Sequence, residues 1–261
     1  MRPVGLLPAA GRGDRFRPCG YPKEIFPVRH VGATAAEPLC ASALRQLDVA
    51  GAEACVVAVS EEKDAVRDTL GERTDTGLTL RYVRQPEPRG LPDVVRQATR
   101  ALGDHTVILV LPDTVVTPTD AARRIHDRLV HDDADLVLGV FPTDEPERLG
   151  PVLHDADGRV RQILDKPAHS PVGNTWGLAA WSSRFTRFCH DWDVQREKVG
   201  AEQVSGEQAS GEAVLGEVFE AARLSGMRVL AVPFDNGGFA DLGTPEALRA
   251  AIDQGLVAPE R

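Results

Sequence analysis

Long apolar runs are missing from this chain. No window of its 261 residues holds the roughly 18 apolar residues that a membrane-spanning helix requires, so no membrane association is expected. The N-terminus has no cationic segment leading into a long apolar run, which argues against a signal peptide. A soluble cytoplasmic protein is the expectation. Positive charge is also scarce: 30 Lys and Arg stand against 39 Asp and Glu, a net charge of −9. Nucleic-acid binding needs phosphate-neutralising cations, so no nucleic-acid partner is expected. A small phosphorylated ligand held by a few local cations remains compatible with that balance.

Other absences remove whole classes of chemistry. The four cysteines, Cys19, Cys40, Cys55 and Cys189, form no C-x-x-C pair and fit no common zinc module. Cys40 and Cys55 sit in apolar stretches and read as buried thiols. Seven histidines give no ligand spacing, since His126 and His131 are five apart and share no helix face. Asp132, Asp133 and Asp135 read as a solvated helix end. No G-x-S-x-G and no Cys/His pairing points to a covalent nucleophile. There is no long-period repeat, and no hexapeptide repeat follows the last expected helix.

What is present is an ordinary globular composition, 42% hydrophobic, long enough to bury a core without disulfide or metal staples. Short apolar runs predict strands over 4–7, 54–59, 78–83, 106–111 and 135–140, with helices over 39–49, 62–71, 91–102 and 120–131 between them. Such alternation implies an α/β layer fold with a mainly parallel sheet. Beyond Pro142 the rhythm changes to short strands over 150–153, 158–164 and 176–181, with Asp155-Ala156-Asp157-Gly158 as a hairpin turn. A helix over 182–191, a polar loop over 197–211, a helix over 212–225, a strand over 228–233 and a closing helix over 244–254 capped by Thr244 complete the expectation.

The first strand runs into Ala9–Arg15, where a parallel sheet puts its ligand loops. Gly11 and Gly13 let backbone N–H groups approach an anion, and Arg15 and Lys23 add charge. A phosphate cradle and a plain tight turn fit these features equally well. The segment lacks the G-x-x-x-x-G-K-[ST] of a P-loop, and Phe16 stands where the third glycine of a dinucleotide motif would be. Further along, Asp113 at a strand's carboxyl end is well placed for Mg²⁺, a cation that prefers carboxylate, water and phosphate oxygens. Gln85 carries an amide that both donates and accepts, which suits a nucleobase edge. A proline-stiffened turn explains the same residues.

Ala10-Gly11-Arg12-Gly13-Asp14-Arg15-Phe16-Arg17-Pro18 followed by Pro22-Lys23-Glu24-Ile25-Phe26-Pro27 resembles the signature of the sugar-1-phosphate nucleotidylyltransferases. That family includes glucose-1-phosphate thymidylyltransferases and uridylyltransferases. Further blocks follow in order, so the likeness runs from about residue 4 to about 250. Gln85-Pro86-Glu87-Pro88-Arg89-Gly90-Leu91 resembles the base-reading loop, and Leu111-Pro112-Asp113 the first metal block. Glu145–Gly150, Asp165-Lys166-Pro167 and Asn174–Leu178 resemble the sugar side, and Phe239-Ala240-Asp241-Leu242-Gly243-Thr244 the second metal block.

The resemblance implies a Rossmann-like three-layer α/β/α nucleotidyltransferase fold of GT-A type, a mainly parallel mixed sheet with a smaller β-rich sugar-binding part. It implies one domain over 1–261, with a nucleotide part over 1–141 and a sugar-phosphate part with the closing helix over 142–261. It also implies Arg15, Lys23 and Asp113 as catalytic residues, and Ala10, Gly11, Arg12, Gly13, Asp14, Gln85, Pro88 and Gly90 on the nucleotide. Gly150, Asp165, Lys166, Asn174, Trp176 and Gly177 fall on the sugar phosphate, and Asp113 with Asp241 on Mg²⁺. The partners are then an NTP (dTTP or UTP before CTP or GTP) and a sugar-1-phosphate, with room for a homo-oligomer, as in many relatives. The bulk of Trp176 argues against plain glucose-1-phosphate, leaving a cyclitol phosphate, phosphocholine or phosphonate as alternatives. Asp14, Pro112 and Asp165 depart from the family pattern and motivate a third reading, a regulatory subunit that binds nucleotide sugars. No C-terminal acyltransferase domain is expected after the closing helix.

Overall fold

A computed structural model of the chain describes residues 2–14, 16, 22–30, 33–87, 89–202, 213–253 and 257–259. The chain begins with β1 (Val4–Pro8), a single 3₁₀ turn (Lys23–Ile25), β2 (Pro27–His30), β3 (Glu37–Pro38) and α1 (Ala41–Val49). Then come β4 (Ala54–Val59), α2 (Asp64–Leu70), β5 (Thr79–Arg84), α3 (Leu91–Leu102), β6 (Val107–Leu109), β7 (Thr114–Thr117), α4 (Ala121–His131) and β8 (Leu136–Pro142). The remainder is β9 (Val152–His154), β10 (Val160–Ile163), β11 (Asn174–Trp181), α5 (Ser183–Glu202), α6 (Leu215–Leu224), β12 (Val229–Pro233), β13 (Gly238–Asp241), α7 (Pro245–Asp253) and β14 (Val257–Pro259).

Seven strands form the main sheet in the order β12-β8-β11-β6-β1-β4-β5. All pairs within it are parallel except those made by β11, which runs against both β6 and β8. Along β4 the side chains alternate between the faces. Cys55, Val57 and Val59 join a core beneath α1 and α4, whereas Val56 and Ala58 join one beneath α3, α5 and α6. A sheet covered on both faces is the three-layer arrangement expected from the α/β alternation. A third, separate core joins Phe16, Val28 and Leu39 to Leu242, Leu248, Ala251 and Val257, so the start of the chain packs on its closing helix.

Most expected elements stand within a residue or two of their sequence ranges. The hairpin turn at Asp155–Gly158 forms, with Gly158 N–H donating to the Asp155 carbonyl at 3.0 Å and Arg159 N–H to its carboxylate at 2.8 Å. One expectation is corrected. The polar segment beginning at residue 197 is not a loop at its start, because α5 continues to Glu202. Its second half is held by ion pairs that local periodicity does not reveal: Asp193 and Glu197 both meet Arg96 of α3, at 2.9 and 2.7 Å. The rest of that expected loop, 203–211, lies outside the described residues. Gly177 interrupts β11: Trp176 pairs with Val140 and Leu178 with Gly139, leaving Gly177 as the extra residue of a β-bulge.

Candidate active site

The sheet reverses its winding beside β1. From β1 the chain moves out to β4 and β5, then returns through α3 to β6 on the other side of β1. Loops leaving the carboxyl ends of adjacent strands part at that reversal and leave a crevice, the place where open α/β sheets take ligands. Along this edge lie Asp113 after β6, the 9–14 loop after β1, Lys63 after β4 and Gln85 after β5.

Lys23, Asp113 and Asp241 come together here from three distant parts of the chain. Lys23 Nζ donates to Asp113 Oδ2 at 2.5 Å, and both side chains are mostly buried. Burial disfavours the Lys23 ammonium, but the pull of Asp113, helped by Glu24 and Asp241, outweighs it and holds the pKa above the ordinary lysine value. The two aspartates are joined by the small antiparallel sheet β7–β13, in which Asp241 pairs with Thr114. Leu242 N–H then donates to the Asp113 carbonyl at 2.7 Å. Gly243 sits between the carboxylates, and a Cβ there would lie 2.8 Å from Asp113 Oδ2 and 2.9 Å from Asp241 Oδ1. Among the described residues no three His, Cys, Asp or Glu gather as a metal cage. Two carboxylates brought to either side of Gly243 instead suit a hard cation that takes few protein oxygens and fills its other positions with water and phosphate oxygens, so the donors fit Mg²⁺.

The 9–14 loop leaves β1 at the same edge of the sheet, with Gly13 beside Lys63. Ala10 is buried, while Gly11, Arg12 and Asp14 are exposed. A Cβ on Gly11 would meet nothing within 4 Å, so the backbone there is open to approach. Phe16 N–H donates to the Gly13 carbonyl at 2.8 Å, closing a turn around Asp14, and the Phe16 ring meets Phe26 edge-on at 5.2 Å. Arg15 and Pro88, both expected at the site, lie outside the described residues.

Beneath the loop is an ion pair that the sequence did not disclose. Lys63 Nζ donates to both oxygens of Glu24, at 2.7 and 2.8 Å, and Glu24 is fully buried. The ammonium lies 4.0 Å from where a Gly13 Cβ would stand. Burial pushes the Lys63 pKa below the ordinary lysine value although Glu24 pulls the other way, and Lys23 adds repulsion. Lys63, Glu24, Lys23 and Asp113 thus alternate in charge under the crevice. In the sequence Lys63 stands in a run of charges, Glu61-Glu62-Lys63-Asp64, at the start of the helix expected over 62–71. Its position directly after an apolar central strand is the one signal that could have found it.

Gln85 directly follows β5 at this edge, and one expectation for its amide is corrected. Its amide does not offer both a donor and an acceptor, because Nε2 donates to Asp93 Oδ2 at 2.7 Å and to the Gly90 carbonyl at 3.2 Å. Gly90 has φ +98°, and a Cβ there would stand 2.2 Å from the Ala213 carbonyl oxygen, so only glycine fits. Asp93 is a second residue the sequence did not single out.

The expected sugar-side residues form their own group on the same edge. Because β11 runs antiparallel, its first residue, Asn174, pairs with Pro142 at the end of β8. Asn174 binds the Val152 backbone with both ends of its amide, at 2.9 and 3.1 Å, and so shapes this wall through β9. Trp176 lies on Gly150: its Nε1 would be 2.3 Å from a Cβ there, and its ring meets Phe219 edge-on at 5.3 Å. Gly177 leaves room for Phe239, whose ring would be 2.9 Å from a Cβ, and Phe239 leads along β13 to Asp241. Asp165 and Lys166 are exposed. Lys166 has φ +40°, a strained angle for a side-chain-bearing residue, fixed by its N–H donating to the Leu149 carbonyl at 2.9 Å.

A crevice at the winding reversal of an open sheet, with two carboxylates and a lysine gathered along the edge that also carries a glycine loop, is the arrangement of an α/β ligand-binding protein. The sequence matches the family model described as Nucleotidyl transferase over residues 4–256, and the chain belongs to that family. It is similar to the glucose-1-phosphate thymidylyltransferase of Mycolicibacterium smegmatis, 28% identical over 166 residues that cover 62% of this chain and 55% of the relative. It is also similar to the UTP–glucose-1-phosphate uridylyltransferase of Staphylococcus epidermidis, 25% identical over 62% of this chain and 64% of the relative. The chain spans about half the length of the curated relatives it matches first. Among solved structures, UDP-glucose pyrophosphorylase complexed with UDP-glucose superposes with a TM-score of 0.77 at 16% identity, covering 98% of each chain. The UDP-glucose pyrophosphorylase of Acinetobacter baumanii superposes at 0.76 with 19% identity, covering 98% of this chain and 94% of the other. These superpositions show the fold. No helix among the described residues is long and apolar enough to cross a membrane.

Proposed function

We propose that the chain is a nucleotidylyltransferase that joins an NTP, UTP or dTTP, to a sugar-1-phosphate or related phosphorylated acceptor and releases pyrophosphate. The observation that carries this reading is the gathering of Lys23, Asp113 and Asp241 at the sheet edge that also carries the Gly11–Gly13 loop. An acceptor phosphate oxygen attacks the α-phosphorus in line. That oxygen is already anionic, so no strong general base is needed, and the chain's task is to position two polyanions and offset their repulsion. The loop N–H groups and Arg15 hold the β- and γ-phosphates. Lys23 meets the α-phosphate, and Lys166 orients the attacking phosphate. Asp113 and Asp241 would hold Mg²⁺, which supplies positive charge to the phosphate oxygens.

A second reading of the acceptor is favoured by Trp176. Its indole lies on Gly150, at the place where the sugar ring is expected. That bulk suits an acceptor of different shape, such as a cyclitol phosphate, or a smaller one, such as phosphocholine or a phosphonate, better than glucose-1-phosphate. Pyrophosphate release from four NTPs against a panel of such acceptors tests both readings. Turnover with glucose-1-phosphate at least as fast as with any other acceptor removes the second. Absence of release with every pair, despite nucleotide binding, removes the enzymatic reading in favour of a nucleotide-sugar-binding subunit.

A further inference from the structure

The amide of Gln85 is fixed in one orientation. An amide nitrogen has two hydrogens, and here one goes to Asp93 Oδ2 and the other to the Gly90 carbonyl. Oε1 accepts no hydrogen bond among the described residues, yet it is not among the polar atoms sealed from solvent without a partner. The residue is 2% exposed, so this oxygen is the one side-chain polar atom left for a ligand.

Reversing the amide is disfavoured by what surrounds it. Asp93 stands in the first turn of α3 and is 1% exposed. Its Oδ1 accepts from Arg96 at 2.6 and 3.1 Å and from Gln97 at 3.1 Å, and Arg96 is anchored in turn to Asp193 of α5 at 2.9 Å. An ionised carboxylate can only accept. A reversed Gln85 would put Oε1 against the Asp93 carboxylate and the Gly90 carbonyl together, three acceptors with no hydrogen among them.

We infer that Asp93 is a positioning residue for nucleobase choice: by pinning the Gln85 amide it presents a lone acceptor, which selects a pyrimidine carrying a hydrogen on N3 over one that does not. Uracil and thymine have that hydrogen, whereas the N3 of cytosine is itself an acceptor and would meet Oε1 lone pair to lone pair. The inference rests on reading the crevice as an NTP site, and it deepens that reading by giving the choice of UTP or dTTP over CTP a physical cause.

The test is direct binding of UTP, dTTP and CTP by calorimetry with Mg²⁺, with pyrophosphate release followed separately. Wild type is expected to bind UTP or dTTP about tenfold or more tighter than CTP, since a buried group left without its partner costs roughly 1–3 kcal/mol. Asp93→Asn keeps the shape but lets the neighbouring amide accept or donate, so Gln85 can turn. The ratio should then fall to about threefold or less. Loss of a merely structural contact would weaken all three nucleotides alike and leave the ratio unchanged, which overturns the inference, as does a wild type that binds CTP as tightly as UTP. A ligand-side test needs no variant: 3-methyluridine triphosphate, with no N3 hydrogen, should bind wild type about tenfold or more weakly than UTP, and equal binding overturns the inference. Expected binding ratios without pyrophosphate release would leave this inference standing and remove the catalytic one.

Discussion

At the scale of single residues, the proposed chemistry rests on three gathered charges, two of which, Lys23 and Asp113, are in contact. Asp113→Asn and Lys23→Ala are each expected to lower kcat/KM about a hundredfold or more, because one lost transition-state contact typically costs ~2.7–4 kcal/mol. Pyrophosphate release checks this, and near-wild-type turnover in either variant removes that residue from the mechanism. The Lys63–Glu24 pair makes a different prediction, about stability. Lys63→Met leaves the Glu24 carboxylate buried without its cation, and breaking such a pair typically costs ~3–5 kcal/mol. Urea unfolding should show a loss of that size, and a double replacement of both residues by apolar ones of similar volume should recover much of it. Both positions show how unevenly the site could be read from the chain. Lys23 and Asp113 stand in ordered blocks whose order carried the information. Lys63 sits in a charge run, and Asp93 looks like an acidic residue favouring a helix N-terminus. Their roles depend on partners 39 and 8 residues away, which no local pattern marks.

At the scale of elements, the long strands and amphipathic helices were legible because each has a period of its own. The small sheets were not. β7 and β13 have four residues each and become strands only by pairing with each other across 120 residues of chain, yet that pairing places Asp241 beside Asp113. Gly243 follows directly, and Gly243→Ala should push a methyl group into the space between the carboxylates. A drop in kcat of more than about tenfold, with an unchanged melting temperature, is the expected result, since one oxyanion- or metal-site contact is worth that much or more. Elsewhere, α4 and β2 each hold a buried histidine. Burial lowers the pKa of both His126 and His30 below the ordinary 6.5. The unfolded chain then binds protons more readily than the folded one, so stability rises with pH across that interval. The contribution is complete above about pH 6.5 and is lost as pH falls through that value towards the folded pKa values. Thermal unfolding at pH 7.5 and 5.5 should show this loss in wild type, and a smaller one when both histidines are replaced by asparagine.

At the scale of the whole molecule, the sheet has two large cores and the crevice has a third of its own. Phe16 at the end of the glycine loop, Leu242 beside the carboxylate pair and Leu248 of α7 belong to that third core. Leu248→Ala should therefore cost ~2–5 kcal/mol locally. It should raise hydrogen exchange at the Phe16 and Leu242 amides while β1 and β4 stay protected. Equal loosening everywhere would show that the three cores open as one. This dependence of the loop on a helix more than 220 residues later was outside the reach of any sequence window.

The bulge at Gly177 has a consequence for how such a protein could change its substrate. A strand has a period of two, so the extra residue decides which side of the sheet the residues before it face. Removing Gly177 would restore regular pairing along β11 and turn residues 174–176 over, carrying Trp176 away from Gly150 and exchanging one wall of the proposed acceptor site for another in a single step. Loss of one codon, rather than a series of point substitutions, is thus a route by which descendants of this chain could acquire a new acceptor.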